Sequence, residues 1–317
     1  MKDTARVVRF IGVVAMLIAI GFFVQYTIRH IQDIPPLHWG ATLVVVWLMC
    51  LGLYIITIAV MGCVWMVFVR EMGVILPLLQ LQSLFGIAQF GKYIPGNFGQ
   101  HLGRVVLARE AGMPVVITVR IVILELLLGV GVAAGLAFLS LLFLRVPFVE
   151  GLTSVGQLTF ILLSSIAFVF PWVSIRFVND YFPALANRLS AGEKLHEPKL
   201  RTMFIAIVLF VVCFVLMGLI LELQSRYFFG VTGVSMFELT GLFAVAWLAG
   251  YLTPGAPGGL GIRETMMVLL LSPIVGSGVA VGLGVTLRVT TTLGDGIAFL
   301  VGLFLRFRLD RVKRMGD

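Results

Sequence analysis

Strongly apolar stretches alternate with short polar segments along almost the whole chain. Six of these stretches are as long as a helix that crosses a lipid bilayer, which needs about 20 residues. They occupy residues 9–28, 40–69, 115–144, 157–176, 202–224 and 277–305. The pattern predicts an all-α polytopic membrane protein, with about six crossing helices in one transmembrane domain over residues 1–317.

Two further apolar regions, 74–111 and 236–272, are interrupted by proline and glycine near their centres. Each is predicted to form a broken helical hairpin, either re-entrant or made of two short spans. Irregular backbone at membrane depth is tolerated only where protein or a water-filled cavity covers it. The two hairpins are therefore the expected place for a polar site.

The centres of the two broken regions resemble each other. The first is KYIPGNFGQHLGRVV (92–106) and the second is GYLTPGAPGGLGIRET (250–265). The corresponding positions are Tyr93 with Tyr251, Pro95-Gly96 with Pro254-Gly255, and Arg104 with Arg263. Because three crossings separate them, we predict an inverted-topology repeat, with units at about 40–145 and 202–306; transporters build a site at the interface of such units.

Composition supports a membrane location, since 60% of the residues are hydrophobic, 12% are charged and the mean hydropathy is +1.09. Soluble domains have about 25% charged residues. The net charge of +8 comes from basic residues that flank the spans, above all around the polar loop 177–200 and in the tail 306–317. This placement is typical of topology signals and argues against a nucleic-acid partner. It predicts a multi-pass protein of the cytoplasmic membrane with both termini cytoplasmic.

The broken loops are candidate anion sites. Pro95 and Pro254 end the incoming helices, so the outgoing helices begin near the membrane middle with free backbone N–H groups. Arg104 and Arg263 lie about one turn inside these starts, and a helix N-terminus with an arginine suits phosphate. The expected phosphate ligands are Arg104, Arg263, Gly96, Asn97, Gly99, Gly255, Gly258 and Gly259. The alternative is that the glycines only allow close packing and the arginines reach headgroups.

The spans after the hairpins carry charges that insertion scales penalise by about 2.5–3.5 kcal/mol each. Arg288 and Asp295 are seven residues apart on one helical face, whereas Arg120 and Glu125 do not face each other and need partners from other helices. Structural ion pairs and a polar pathway both remain open as explanations. The candidate pathway or gating residues are Arg120, Glu125, Arg288, Thr292, Asp295 and Glu264.

Other chemistry is sparse in the sequence. There is no Walker phosphate loop, no Ser–His or His–Asp set with catalytic spacing, and no CxxC pair. We therefore predict no cofactor, no metal site and no enzymatic activity.

The motifs YIPGNFGQHLGRVVLAREAGMP (93–114) and PGGLGIRE (257–264) resemble the signatures of the lysylphosphatidylglycerol synthase transmembrane-region family. The likeness covers roughly 8 to 306. It implies a flippase-like domain that moves a phospholipid between leaflets, here expected without the aminoacyl-transferase domain of two-part members. Stand-alone relatives are similar to lipid-linked sugar transporters. Where the family commonly has an acid before its first arginine, this chain has Gln100-His101-Leu102-Gly103.

Together these features predict a transporter for a phosphate-bearing lipid, such as a polyprenyl-phosphate-linked sugar or a phospholipid. The alternative is a membrane scaffold for a glycosyltransferase or a lipid-modifying synthase. A membrane-embedded lipid-modifying enzyme is disfavoured because the sequence shows no nucleophile or metal set.

Overall fold

The computed structural model describes residues 14, 17–18, 20–37, 40–93, 99–141, 154–189, 195–253 and 256–316. In these ranges every regular element is a helix. The α-helices are α1 (20–30), α2 (Ala41–Glu71), α3 (Leu78–Ala88), α4 (Gly99–Glu110), α5 (Val115–Leu141), α6 (Ser154–Tyr181), α7 (Pro183–Leu189), α8 (Leu200–Phe229), α9 (Met236–Leu252), α10 (Ile262–Val275) and α11 (Ser277–Gly316). Short 3₁₀ segments occupy Ile31–Asp33, Gln89–Tyr93 and Pro257–Gly259.

Five helices of the described chain are long and apolar enough to cross a membrane. They are Ala41–Glu71, Val115–Ser140, Gly156–Tyr181, Leu200–Phe229 and Ser277–Arg311. These five coincide with predicted spans and confirm the all-α polytopic fold. The sixth predicted span, 9–28, lies partly outside the described residues, and its described end, from residue 20 onward, belongs to α1.

The two broken regions form helical hairpins with short arms. In the first, α3 has 11 residues and α4 has 12. At about 1.5 Å per residue, each arm is about 16–18 Å long, whereas the hydrocarbon core is about 30 Å thick. In the second, α9 has 17 residues and α10 has 14. The arm lengths favour a re-entrant first hairpin, whereas the 17 residues of α9 in the second reach the lower limit of a full span.

The two predicted repeat units have the same order of elements and pack reciprocally. Each unit runs long helix, hairpin, long helix: α2 to α5 in unit one, and α8 to α11 in unit two. The first arm of each hairpin packs on the last long helix of the other unit, as α3 does on α11 and α9 does on α5. The first long helices, α2 and α8, pack on each other. Reciprocal contacts of this kind are what a two-fold relation between two units produces.

Glycines bring the arms of each hairpin close together. A Cβ atom on Gly91 would lie 2.6 Å from the backbone of Gly99, at the start of α4. In the second hairpin, a Cβ on Gly250 would lie 3.2 Å from the Cα of Gly259. Gly259 also has a φ of 69°, a left-handed conformation that favours glycine. A side chain at Gly91 would clash with the start of α4, and one at Gly250 would crowd Gly259, so the missing side chains allow the close approach of the arms.

The polar loop and the basic tail are both attached to the helical bundle. In the loop, the Asn179 side-chain amide donates to the Leu195 carbonyl over 2.9 Å and accepts from the Leu195 N–H over 2.8 Å. The tail continues α11 as a helix to Gly316. Near its start, Arg306 Nη2 lies 2.8 Å from Glu110 Oε2 at the end of α4.

Candidate functional site

A cleft with a volume of about 200 Å³ lies where the two units meet. The long helices α2, α5, α8 and α11 and both hairpins form its walls. It is lined by charged and polar side chains at the hairpins and by aromatic and aliphatic ones between α5, α8 and α9. The charged lining residues are Lys92, Arg104, Glu125, Arg263 and Arg288.

In unit two, one carboxylate holds two arginines together. Glu264 is 6% exposed, and its Oε2 accepts the Gly261 N–H over 2.8 Å at the start of α10. Its Oε1 lies 3.2 Å from Arg288 Nη1 and 3.9 Å from Arg263 Nη2. The Arg263 contact exceeds hydrogen-bond distance. Both guanidinium groups line the cleft, with side chains 15% and 19% exposed, and they keep donors for a ligand.

In unit one, the corresponding arginine is already paired with a carboxylate, although its buried Nε has no hydrogen-bond partner among the described residues. Arg104 is 2% exposed. Its Nη1 donates to both oxygens of Glu125, over 2.5 and 2.6 Å. Trp65 Nε1 donates to the same carboxylate over 2.8 Å, and the Phe85 ring centroid lies 3.8 Å from Arg104 Cζ. Arg104, expected as a phosphate ligand, is thus paired with Glu125 and lies against the Phe85 ring.

A third cluster connects the two units. Asp295 on α11 is fully buried, and its Oδ2 lies 2.5 Å from Lys92 Nζ in the first hairpin. Tyr93 OH donates to Oδ2 over 2.6 Å, and Tyr54 OH donates to Oδ1 over 2.8 Å. The sequence analysis did not predict Lys92 and Tyr54 as site residues. For Lys92, the available signal was the energetic cost of a lysine within an apolar region, because such a charge requires a counter-ion.

The charges around the cleft do not cancel. Counting lysine, arginine, aspartate and glutamate, Lys92, Arg104, Arg263 and Arg288 give four positive charges, and Glu125, Glu264 and Asp295 give three negative charges. Glu125 neutralises Arg104, and Asp295 neutralises Lys92. Glu264 is shared by two arginines, so the surplus positive charge belongs to Arg263 and Arg288. An anion is the ligand that this imbalance favours.

The structure corrects one predicted pairing. Arg288 and Asp295 were considered as partners on one face of α11, but Arg288 contacts Glu264 and Asp295 contacts Lys92. Arg288 and Asp295 are seven residues apart and share a face of α11, yet each contacts an oppositely charged group on a neighbouring hairpin. The expectation that Glu125 has partners from other helices is confirmed by Arg104 on α4 and Trp65 on α2.

The remaining predicted site residues are dispersed. Gly258 and Gly259 line the cleft, and Gly99 begins α4 against Gly91. Thr292 is exposed and accepts a long 3.4 Å bond from Tyr93. Arg120 is half-buried on α5 and is not among the residues that line the cleft. Gly96, Asn97 and Gly255 lie outside the described residues.

The cleft also has an apolar part of its lining. Phe210, Phe214 and Met217 of α8 line it together with Phe243 and Trp247 of α9. The Trp247 and Tyr251 rings are stacked, with centroids 4.5 Å apart and an interplanar angle of 11°. Among the described residues, no group of three potential metal ligands occurs. The site is therefore amphipathic, because cationic and aromatic side chains both line it.

These features define a multi-pass α-helical membrane protein with a cationic, amphipathic cleft between two similar halves. The chain belongs to the family described as the lysylphosphatidylglycerol synthase TM region, which it matches over residues 9–298. No curated protein shows significant similarity to the chain. Membership of this family indicates a role connected with membrane lipids.

Proposed function

We propose that the protein moves a phosphate-bearing lipid between the leaflets of the cytoplasmic membrane, without itself catalysing a reaction. The observation that carries this proposal is the pair of arginines that share one carboxylate inside a membrane-embedded cleft. Arg263 and Arg288 offer planar guanidinium forks that match phosphate oxygens, and the first-turn amides of α10 add donors of the same polarity.

The shape of the cleft suits a lipid better than a small soluble anion. A phosphate at the arginines would lie beside the aromatic and aliphatic walls formed by α8 and α9. The tails of the lipid would remain in the bilayer while the headgroup occupies the polar end. A polyprenyl-phosphate-linked sugar and a phospholipid both have this division between anionic head and apolar tail.

The energy for such movement does not require ATP. An inside-negative membrane potential favours outward movement of an anionic headgroup by about 2.3 kcal/mol per charge per 100 mV. If the predicted orientation holds, with both termini in the cytoplasm, loading would take place from the inner leaflet.

Leaflet exchange by the purified protein tests the proposal. The protein is reconstituted into liposomes that contain phosphatidylglycerol with a fluorophore on one acyl chain, and an impermeant quencher reports the outer leaflet. We expect faster exchange than in protein-free liposomes, and slower exchange for the Arg263→Ala/Arg288→Ala double variant. Equal rates for wild type, double variant and empty liposomes would reject transport and favour the scaffold alternative, in which a glycosyltransferase or synthase is the partner.

A further inference from the structure

The cleft contains polar and aromatic groups that a phosphate does not need. Trp247 and Tyr251 are one turn apart on α9 and line the cleft as a stacked pair. Gln100 and His101, at the start of α4, line it opposite them. These side chains come from different units, so the cleft, and not either hairpin alone, brings them together.

The polar atoms in this patch bond each other only weakly. His101 Nε2 lies 3.5 Å from Tyr251 OH and 3.3 Å from Gln100 Nε2. Both distances are at or beyond the usual upper range for strong hydrogen bonds. His101 is 6% exposed, and among the described residues its Nδ1 has no hydrogen-bond partner. A buried polar group in this state favours a ligand that supplies hydroxyl groups, which both donate and accept.

The charge of the cleft disfavours a cationic headgroup. A cationic headgroup would gain no unpaired carboxylate from these residues, because each of the three carboxylates around the cleft already contacts a lysine or an arginine. The surplus charge of the cleft is positive, so a second cation beside the phosphate would be repelled. An uncharged headgroup avoids this repulsion.

We propose that Trp247, Tyr251 and His101 form a headgroup subsite that takes an uncharged, hydroxyl-bearing ring and discriminates against a cationic aminoacyl group. The outer face of one of the two stacked aromatic rings would pack against the apolar face of the headgroup ring, and His101 with Gln100 would bond the headgroup hydroxyls. This inference rests on the proposed transport function and specifies the part of the substrate beyond its phosphate.

Three lipid probes in the liposome assay test the subsite. Phosphatidylinositol carries a hydroxylated ring, phosphatidylglycerol carries a small polyol, and lysyl-phosphatidylglycerol carries a cationic aminoacyl group. We expect wild-type protein to exchange phosphatidylinositol about tenfold faster than lysyl-phosphatidylglycerol, a ratio that corresponds to about 1.4 kcal/mol. Equal rates for these two lipids, or faster exchange of the lysyl lipid, would overturn the subsite.

Variants at Trp247 distinguish the loss of packing against the headgroup from a general loss of transport activity. Trp247→Leu should lower the ratio of phosphatidylinositol to phosphatidylglycerol exchange by about fivefold, whereas Trp247→Phe should keep most of it. Phe237→Leu is the control, since Phe237 is on the same helix but 65% exposed. An unchanged ratio in Trp247→Leu would contradict the role of the ring.

The two levels of the proposal fail in different ways. If none of the three lipids moves faster than in empty liposomes, transport itself is rejected and the subsite with it. If phosphatidylglycerol moves but headgroup preference is absent, transport stands and only the subsite is rejected. Thermal stability of the detergent-solubilised protein with soluble glycerophosphoinositol gives an independent measurement, for which we expect stabilisation in wild type and none in Trp247→Leu.

Discussion

The two hairpins have matching sequences, yet their arginines are in different chemical states. In the first hairpin, Arg104 is 2% exposed and is bound through Nη1 to both oxygens of Glu125. In the second, Arg263 reaches Glu264 only at 3.9 Å, and Glu264 is shared with Arg288. Similar motifs thus produce one closed ion pair and one cationic site. The difference shows that a repeated motif in a membrane protein predicts a repeated backbone, but not a repeated charge balance.

The relative orientation of the hairpins gives the largest expected contrast, because a residue is on one side of the membrane or the other. Inversion predicts that the loop before α3 and the loop before α9 face opposite sides. We expect an impermeant thiol reagent to label Ile75→Cys, at a position 92% exposed, from the cytoplasmic side, and Thr232→Cys from the opposite side. The control is the unsubstituted protein, whose three cysteines lie within long helices, Cys50 and Cys213 buried and Cys63 half-buried. Labelling of both positions from one side would disprove the inverted repeat.

The Arg104 pair should matter most for stability. Removing one member of a buried ion pair costs about 3–5 kcal/mol because the other charge is left uncompensated. We therefore expect Arg104→Ala to lower the thermal stability of the purified protein strongly, and the double variant Arg104→Met/Glu125→Leu to recover much of the loss. A stable Arg104→Ala protein would mean that the Arg104–Glu125 contact is not a structural pair.

Arg263 should matter most for transport. Hydrogen bonds to charged groups contribute about 1.5–3 kcal/mol, so Arg263→Ala should slow lipid exchange by about 10- to 150-fold. The thermal stability of the Arg263→Ala protein should change little, because the only described carboxylate near Arg263 is 3.9 Å away. The same exchange assay on the stabilised Arg104→Met/Glu125→Leu protein is the matched comparison. If that protein loses more transport than Arg263→Ala, Arg104 belongs to the phosphate-binding part of the site.

The smallest effect should come from changing the shape of the cation while keeping its charge. Lysine offers a point charge where arginine offers a planar fork. We expect Arg263→Lys to reduce lipid exchange by about fivefold, equivalent to about 1 kcal/mol, and Arg104→Lys to act chiefly on thermal stability. Exchange equal to wild type in Arg263→Lys would show that the site needs charge but not geometry.

Much of the architecture was predictable because it depends on local sequence. Runs of apolar side chains predicted the long helices, since each helix satisfies its own backbone hydrogen bonds in lipid. Pro95, Pro254 and the nearby glycines predicted the broken hairpins. The need of Glu125 for a partner outside its own helix also followed from helical spacing, because a five-residue separation places Arg120 on another face.

The partners of the charges were less predictable. Arg288 and Asp295 share a face of α11, but their contacts are Glu264 and Lys92, which come from the two hairpins packed against that helix. Trp65 and Tyr54, which complete the carboxylate clusters, are 60 and 241 residues away from the groups that they bind. Spacing along one helix shows which side chains are near each other, but it does not show which other helix faces them.

The sequence by itself determined that this is a polytopic helical membrane protein with two similar broken hairpins, because hydrophobicity and backbone breaks are properties of each segment alone. Only the tertiary structure decided that Arg104 is neutralised while Arg263 and Arg288 share a single carboxylate. Ion pairing in a low-dielectric interior depends on distances of a few ångströms between helices far apart in the chain. Those distances are set by helix packing, and they determine which of two matching arginines remains available to bind an anion.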